Sequence, residues 1–294
     1  MKKTGNYLTI TFPFLLALAL QILGAFWGVI IYGVVMGIQM SAQGTLDINN
    51  IQDIANGALN PQILLGISAA IGIVDIVVFS IWLKKQKKSG DILVKADKLD
   101  TKGIVLILIL GVCIQISLSI ILTVISNLRP DWFDGYGELI DSLGMGNTFI
   151  SFLYVGLVAP IAEELIFRGV TFNKARKYMP FLAANFAQAL LFGIYHMNLI
   201  QGLYAFAMGL SFGLIRRAYS LIGAILLHMT VNIAGMTLDY ILPEQILNNH
   251  IAVSILFLLT GAAVTAILLY AGKQVKNIQE EEPVYHIMDS YDDN

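Results

Sequence analysis

The chain has 294 residues, of which 57% are hydrophobic and only 13% are charged, whereas a soluble globular domain carries about 25% charged residues. With a mean hydropathy of +0.74, this composition excludes an ordinary soluble enzyme and predicts an all-α, polytopic membrane helical bundle. The net charge of −2 points to no particular partner, because the charges are segregated along the chain. The single cysteine, Cys113, excludes an intrachain disulfide and a cysteine metal cluster.

Apolar runs long enough to cross a bilayer recur from one end of the chain to the other. A helical span needs about 20 apolar residues, and the runs predict eight spans. Their ranges are 8–38, 61–83, 103–125, 147–167, 180–197, 199–215, 220–242 and 251–271. The first run is much longer than the roughly 7–15 apolar residues of a signal peptide, so we interpret it as a retained span.

Basic residues fall at alternate connections between these spans. All of the 18 Lys and Arg residues except Arg129 lie on one predicted side, Arg168 being counted with the fourth connection. Because basic connections stay on the cytoplasmic side, both termini are predicted to be cytoplasmic, in an integral protein of the plasma membrane. The basic residues line a membrane face, so lipid is the expected partner and nucleic acid is not.

The same patterns divide the chain into four regions without any repeat of fixed period. The regions are a three-span N-terminal region (1–146), a core of spans four to seven (147–242), the last span (243–272) and an acidic tail (273–294). The tail is poor in aliphatic residues and is predicted to be disordered. The outer connections 41–60 and 126–146 are long enough to form small caps, and the oligomeric state stays open.

Two adjacent carboxylates, Glu163 and Glu164, lie inside the fourth apolar run. Ionisable groups in such surroundings are costly and usually functional. Glu164 and Arg168 are spaced i,i+4 with the acid first, the favourable order for an ion pair. Glu163 lies about 100° around the helix and has no such partner nearby, so it is the better candidate for a base or a ligand. The alternative is that the pair is merely solvated at the end of a span.

His196 ends the fifth apolar run on a polar stripe with Asn185, Gln188 and Phe192. Glu164 and His196 are equally distant from Pro180, so the arms of an antiparallel helical hairpin would bring them to the same depth. In the seventh run, His228 and Asn232 share a helical face, on which Asp239 also falls. A structural role is the alternative for each of these groups, and it is favoured for Asp239.

Three further features of the spans are interpreted as structural. Asp75 and Gln115 are isolated polar groups that we expect to form interhelical hydrogen bonds. The segment 209–213 (GLSFG) fits the G-x-S-x-G pattern of a nucleophile elbow, but that motif requires a strand-to-helix turn. It lies here within an apolar helix, so Ser211 is not expected to be a nucleophile.

The constellation of Glu163-Glu164-x-x-x-Arg168, Phe192-x-x-x-His196 and His228-x-x-x-Asn232 resembles the CPBP family. This family comprises the type II CAAX prenyl endopeptidases and the Abi-like, bacteriocin-processing proteins. The resemblance covers roughly residues 147–240 and implies an eight-span fold with a membrane-embedded cavity that opens toward the cytoplasm. It further implies an endopeptidase acting on a membrane-associated peptide or a lipidated protein.

By position, the resemblance implies that Glu163 and His196 activate water and that His228 and Asn232 hold the oxyanion. Glu164 and Arg168 would support the site. It leaves open whether Zn²⁺ is bound, with Glu163, His196 and His228 as ligands, or whether Glu and His act alone. Two other functions stay open from the sequence, namely a non-catalytic membrane partner (an immunity factor or a sensor-kinase modulator) and a proton-coupled transporter. A transporter is disfavoured because the chain shows no repeated halves.

Overall fold

The computed structural model describes residues 8–45, 47–90, 92, 94, 99–137, 149–242, 246 and 248–277, and this part of the chain contains helices and no strand. The helices are α1 (Phe12–Ala42), α2 (Ile48–Ala58), α3 (Pro61–Lys88), α4 (Thr101–Leu128), α5 (Phe149–Arg176), α6 (Phe181–Tyr195), α7 (Leu199–Ile241) and α8 (His250–Asn277). Short 3₁₀ turns at Thr9–Thr11 and Pro130–Trp132 precede α1 and follow α4.

Six of these helices are long and apolar enough to cross a membrane, which confirms the prediction of a helical membrane bundle. They are α1, α3, α4, α5, α7 and α8. The fifth predicted span, α6, has only 15 residues and is shorter than a full span. The sixth and seventh predicted spans both lie within α7.

Helix α7 is a hairpin of two arms, 199–219 and 221–241, joined at Ser220. The backbone of Ser220 is non-helical, with φ 85° and ψ 172°. The rings of Phe212 and His228, eight residues before and after Ser220, have centroids only 4.8 Å apart. Since a straight helix would separate them by about 24 Å, the arms must fold back on each other. The structure therefore keeps the two predicted spans as separate antiparallel arms.

Polar caps fix where the main helices begin. The side chain of Asn60 accepts a hydrogen bond from the Gln62 amide at the start of α3. Asp100 caps α4 in the same way, and Asn198 caps α7 through the Gln201 amide. Such caps satisfy amide donors that have no partner within the helix. The Asn198 cap matters for the site, because it fixes the short turn between α6 and α7 that carries His196.

Two π-helical turns flank the carboxylate pair in α5. They are Tyr154–Val158 and Leu165–Thr171, with α-helical Ala159–Glu164 between them. In the first π turn the amide of Ala159 bonds to the carbonyl of Tyr154. The next bond of this pattern would join Pro160 to the Val155 carbonyl, but proline has no N–H. The Val155 carbonyl is thus left for an outside donor, and π turns are frequent at functional sites.

Two sequence assignments change at the ends of spans. Arg168 does not lie in a basic connection, because it is fully buried inside the bundle. Helix α8 continues to Asn277, so the first residues of the predicted disordered tail are helical. One cause is that Ala271 and Val275 pack on the hydrophobic core, so the buried face of α8 continues past residue 272. The rest of the tail, residues 278–294, and residues 138–148 of the second outer connection lie outside the described residues.

Candidate active site

Glu164 is the centre of a fully buried ion-pair cluster. Its Oε1 atom lies 2.8 Å from Nη1 of Arg168 and 2.9 Å from Nδ1 of His228. The side chains of Glu164 and Arg168 are both inaccessible to solvent. The i,i+4 pair predicted from the sequence is therefore present, and His228 joins it from the second arm of α7. The Arg168 guanidinium also stacks over the rings of Phe192 and Phe212, which favours a cation.

Glu163 borders this cluster through His228 and is the more accessible carboxylate. Its side chain keeps 17% of its exposure, and its Oε2 atom lies 3.7 Å from Nε2 of His228. His196 lies at the end of α6, where its ring contacts the edge of Phe192. Glu163, His196 and His228 all line one cavity, so the structure brings the predicted reactive side chains together.

Hydrogen bonds define which ring nitrogens of the two histidines are free. Nδ1 of His196 lies 2.8 Å from the Phe192 carbonyl, which can only accept, so this nitrogen carries the proton. Nε2 of neutral His196 then presents its lone pair. In His228, Nδ1 faces a carboxylate held by Arg168, so it also donates. Nε2 of His228 is thereby directed toward Glu163.

Asn232 is anchored on the π turn of α5. Its Nδ2 atom donates to the Val155 carbonyl at 2.8 Å, the group that Pro160 leaves without a helical donor. Asn232 also lines the cavity. One of its two amide hydrogens is therefore used to hold α5, and the other is available to a ligand.

The polar stripe of α6 packs against the first arm of α7. Asn185 donates to the Leu210 carbonyl, and Gln188 donates to the Gly209 carbonyl and to Asn185. A Cβ atom at Gly213 would collide with Oδ1 of Asn185. The glycines of the GLSFG segment thus allow close helix packing, which agrees with its interpretation as structural rather than as a nucleophile elbow.

The cavity has a volume of about 300 Å³. Its floor is formed by Glu163, His228 and Phe192, and its walls carry tyrosine and glutamine side chains. These wall residues are Gln21, Gln115, Tyr136, Tyr154, Tyr195, Gln201 and Tyr204. Tyr136 belongs to the predicted outer connection 126–146, and burial raises the pKa of its hydroxyl, so it stays protonated at neutral pH.

The position of the cavity conflicts with one implication of the resemblance. The cavity extends from Glu163 and His228 toward Tyr136 and Met197, away from the ends of the helices that carry the basic residues. The sequence predicts that the basic connections lie in the cytoplasm, and the resemblance implies that the cavity opens there. In this structure these two statements cannot both be true.

The resemblance names Glu163, His196 and His228 as the possible zinc ligands. Among the described residues, no three His, Cys, Asp or Glu side chains converge as a group that could hold a metal ion. Glu163, His196 and His228 share a cavity but do not form such a set. Zinc binding by these three side chains therefore stays a prediction from the resemblance, in which Nε2 of each histidine would be the nitrogen left for the ion.

The sequence patterns did not predict most residues of the cavity wall or the surroundings of Asp75. Tyr154, Tyr195 and Tyr204 carried no motif, although the position of Tyr195 and Tyr204 near Gln201 in the sequence was a weak signal. Asp75 is 1% exposed, and its Oδ1 atom has no hydrogen-bond partner among the described residues, contrary to the expected interhelical bond. Gln115 bonds to Ser119 within its own helix. The side chain of Asp239 lies outside the described ones.

Comparison with known proteins supports the family that the motifs indicate. The model of the family described as type II CAAX prenyl endopeptidase Rce1-like matches residues 145–234, the segment that contains the whole buried cluster and both histidines. The match supports the CPBP family and, in general terms, an intramembrane endopeptidase of the CAAX type. The comparisons with curated proteins and with solved structures gave no match.

Proposed function

We propose that this protein is an intramembrane endopeptidase in which Glu163 activates water to cleave a peptide bond in a membrane-associated substrate. The proposal rests on one observation. A partly accessible carboxylate shares one cavity with two histidine side chains inside a membrane bundle. Ionisable groups at such depth require a functional reason, and this combination supplies both a base and hydrogen-bond donors.

In the reaction, Glu163 takes a proton from water while the water oxygen attacks the carbonyl carbon. Nε2 of His196, which presents a lone pair, orients the same water. The C–N bond then breaks, and Glu163 returns the proton to the leaving nitrogen. The products are a carboxylic acid and an amine, which ionise in water to a carboxylate and an ammonium group. A positioned general base of this kind contributes about 10²–10⁴-fold to the rate.

The developing oxyanion is held by His228 and Asn232. In its protonated form His228 donates from Nε2, and the Glu164 carboxylate at Nδ1 stabilises that imidazolium, as an orienting carboxylate does in a catalytic triad. Asn232 donates its second amide hydrogen. Removal of one such donor costs about 10²–10³-fold in rate, so Asn232→Ala should be milder than loss of Glu163.

No step of this reaction is routed through zinc, whose binding to Glu163, His196 and His228 is a separate prediction. Purified protein is treated with a chelator and assayed before and after zinc is added back. Retained activity supports the metal-free reaction. Loss that zinc reverses would show that the site binds the ion.

The function is tested by comparing peptides from cells that contain the wild-type protein, Glu163→Gln, His196→Ala or His228→Ala. Membrane and medium fractions are analysed by mass spectrometry. Ser211→Ala is the matched control, because Ser211 is a polar residue of the same bundle outside the catalytic group. Fragments should disappear in all three site variants and persist in the control. The losses should not add in double variants, since the groups act as a unit.

Unchanged fragments in the Glu163→Gln variant would exclude the peptidase function. If the wild type and Glu163→Gln yield the same fragments and both complement a deletion strain, the protein does not act as a peptidase. It would then be a non-catalytic membrane partner on the same fold.

A further inference from the structure

The catalytic cavity is built only from the halves of the helices that lie away from the basic connections. Helix α4 begins near Lys102, but it contributes only from Gln115 onward. Helix α5 contributes up to Glu163 and nothing beyond it. The first arm of α7 contributes as far as Met208, and the second arm contributes from His228 onward. The cavity therefore begins at the reactive side chains and extends in one direction only.

The other direction is filled by packed side chains. Ile166, Phe167, Phe192, Phe212 and Ile215 have no accessible surface, and they lie between the reactive groups and the Ser220 turn. The buried guanidinium of Arg168 completes this layer. A substrate therefore has no path to Glu163 from the basic end through this layer.

Contacts between helix ends show which end is basic. Lys174 at the end of α5 lies over the rings of Phe12 and Trp82, and Lys102 bonds to Tyr270 at the end of α8. One face of the bundle thus contains the starts of α1 and α4 and the ends of α3, α5 and α8. Because basic segments remain in the cytoplasm, the packed layer faces the cytoplasm.

We infer that the catalytic cavity opens to the outer face of the membrane, so that the bond it cleaves lies in an outward-facing segment of the substrate. This inference rests on the proposed function for the cleavage step, while the direction of the cavity stands on the packing alone. The substrate class is thus a membrane-bound peptide that has been exported or that spans the bilayer, rather than a lipidated protein anchored at the cytoplasmic face.

The side chains of the cavity wall further restrict which substrate segment the site can bind. None of the described lining residues is Lys or Arg, and Glu163 is their one carboxylate. A free C-terminal carboxylate would therefore enter without a Lys or Arg to pair with it, which is costly in a desolvated site. Neutral tyrosine and glutamine groups instead suit an internal peptide segment that is neutral or basic.

Accessibility of single cysteines tests the direction of the cavity independently of activity. In a Cys113→Ser background, intact cells are treated with a small, membrane-impermeant thiol reagent. Gly137→Cys in the outer connection and Gln115→Cys in the cavity wall should be labelled. Lys87→Cys at the basic end should be labelled only after permeabilisation. Ile109→Cys is the matched control for Gln115→Cys, because it faces lipid from the same helix and should stay unlabelled.

Two labelling patterns would overturn the inference. Labelling of Lys87→Cys with protection of Gly137→Cys in intact cells would reverse the orientation. Labelling of Gly137→Cys with protection of Gln115→Cys would show that the cavity is closed to the outer face.

The fragments lost in Glu163→Gln cells test the cleavage step. They should map to outward-facing segments and appear in the medium of wild-type cells. Fragments confined to the cytosol would refute the outward site but leave the peptidase intact, whereas the absence of any lost fragment would refute the peptidase itself.

Discussion

Nδ1 of His228 lies 2.9 Å from Oε1 of Glu164, an oxygen that also binds Arg168 at 2.8 Å. One buried carboxylate thus orients an imidazole at the floor of the cavity and neutralises a guanidinium behind it. Glu164, rather than the adjacent Glu163, makes both of these buried contacts. This division leaves Glu163 free of strong partners and accessible to water.

Loss of Arg168 should destabilise the protein strongly. Arg168→Ala leaves the Glu164 carboxylate buried without its cation, and breaking a buried pair in this way costs about 3–5 kcal/mol. Thermal unfolding in detergent measures the effect, and Glu164→Gln combined with Arg168→Met should recover much of it. Arg129→Ala is the matched control, because the Arg129–Asp131 pair is exposed and should change stability little. Equal melting temperatures for Arg168→Ala and wild type would contradict a buried pair.

A methyl group at Gly213 should disrupt the packing of α6 on α7. The Cβ of Gly213→Ala would collide with Asn185, and overpacking of this kind typically costs about 1–3 kcal/mol. Asn185→Ala should relieve the collision, so the double variant should be more stable than the sum of the single effects predicts. Gly261→Ala serves as the control, since its Cβ meets no atom within 4 Å. An unfolding midpoint unchanged by Gly213→Ala would show that the helices are farther apart.

Replacement of Ser220 by glycine should stabilise the hairpin of α7. Its φ of 85° and ψ of 172° lie in a region adopted almost only by glycine, and such strain costs about 1–3 kcal/mol. Ser220→Gly should therefore raise the melting temperature, whereas Ser254→Gly in the second turn of α8 should lower stability by up to about 0.5 kcal/mol. A lower melting temperature for Ser220→Gly would mean that the turn has ordinary helical geometry.

The sequence by itself determined the membrane class, most of the helix positions and the i,i+4 pair of Glu164 and Arg168. These depend on local properties, namely run length, hydropathy and helical spacing, which the order of residues contains directly. It also singled out His196, His228 and Asn232 as candidates, because polar groups within apolar runs stand out.

Only the tertiary structure decided which contacts each of these residues makes. Which oxygen His228 meets, which carbonyl Asn232 holds and which way the cavity points depend on helix phase and on the π turns of α5. The missing N–H of Pro160 allows Asn232 to contact Val155, 77 residues away in the chain. The physical reason is that contacts between helices depend on small rotations and shifts of whole segments, which hydropathy and spacing within one segment do not encode.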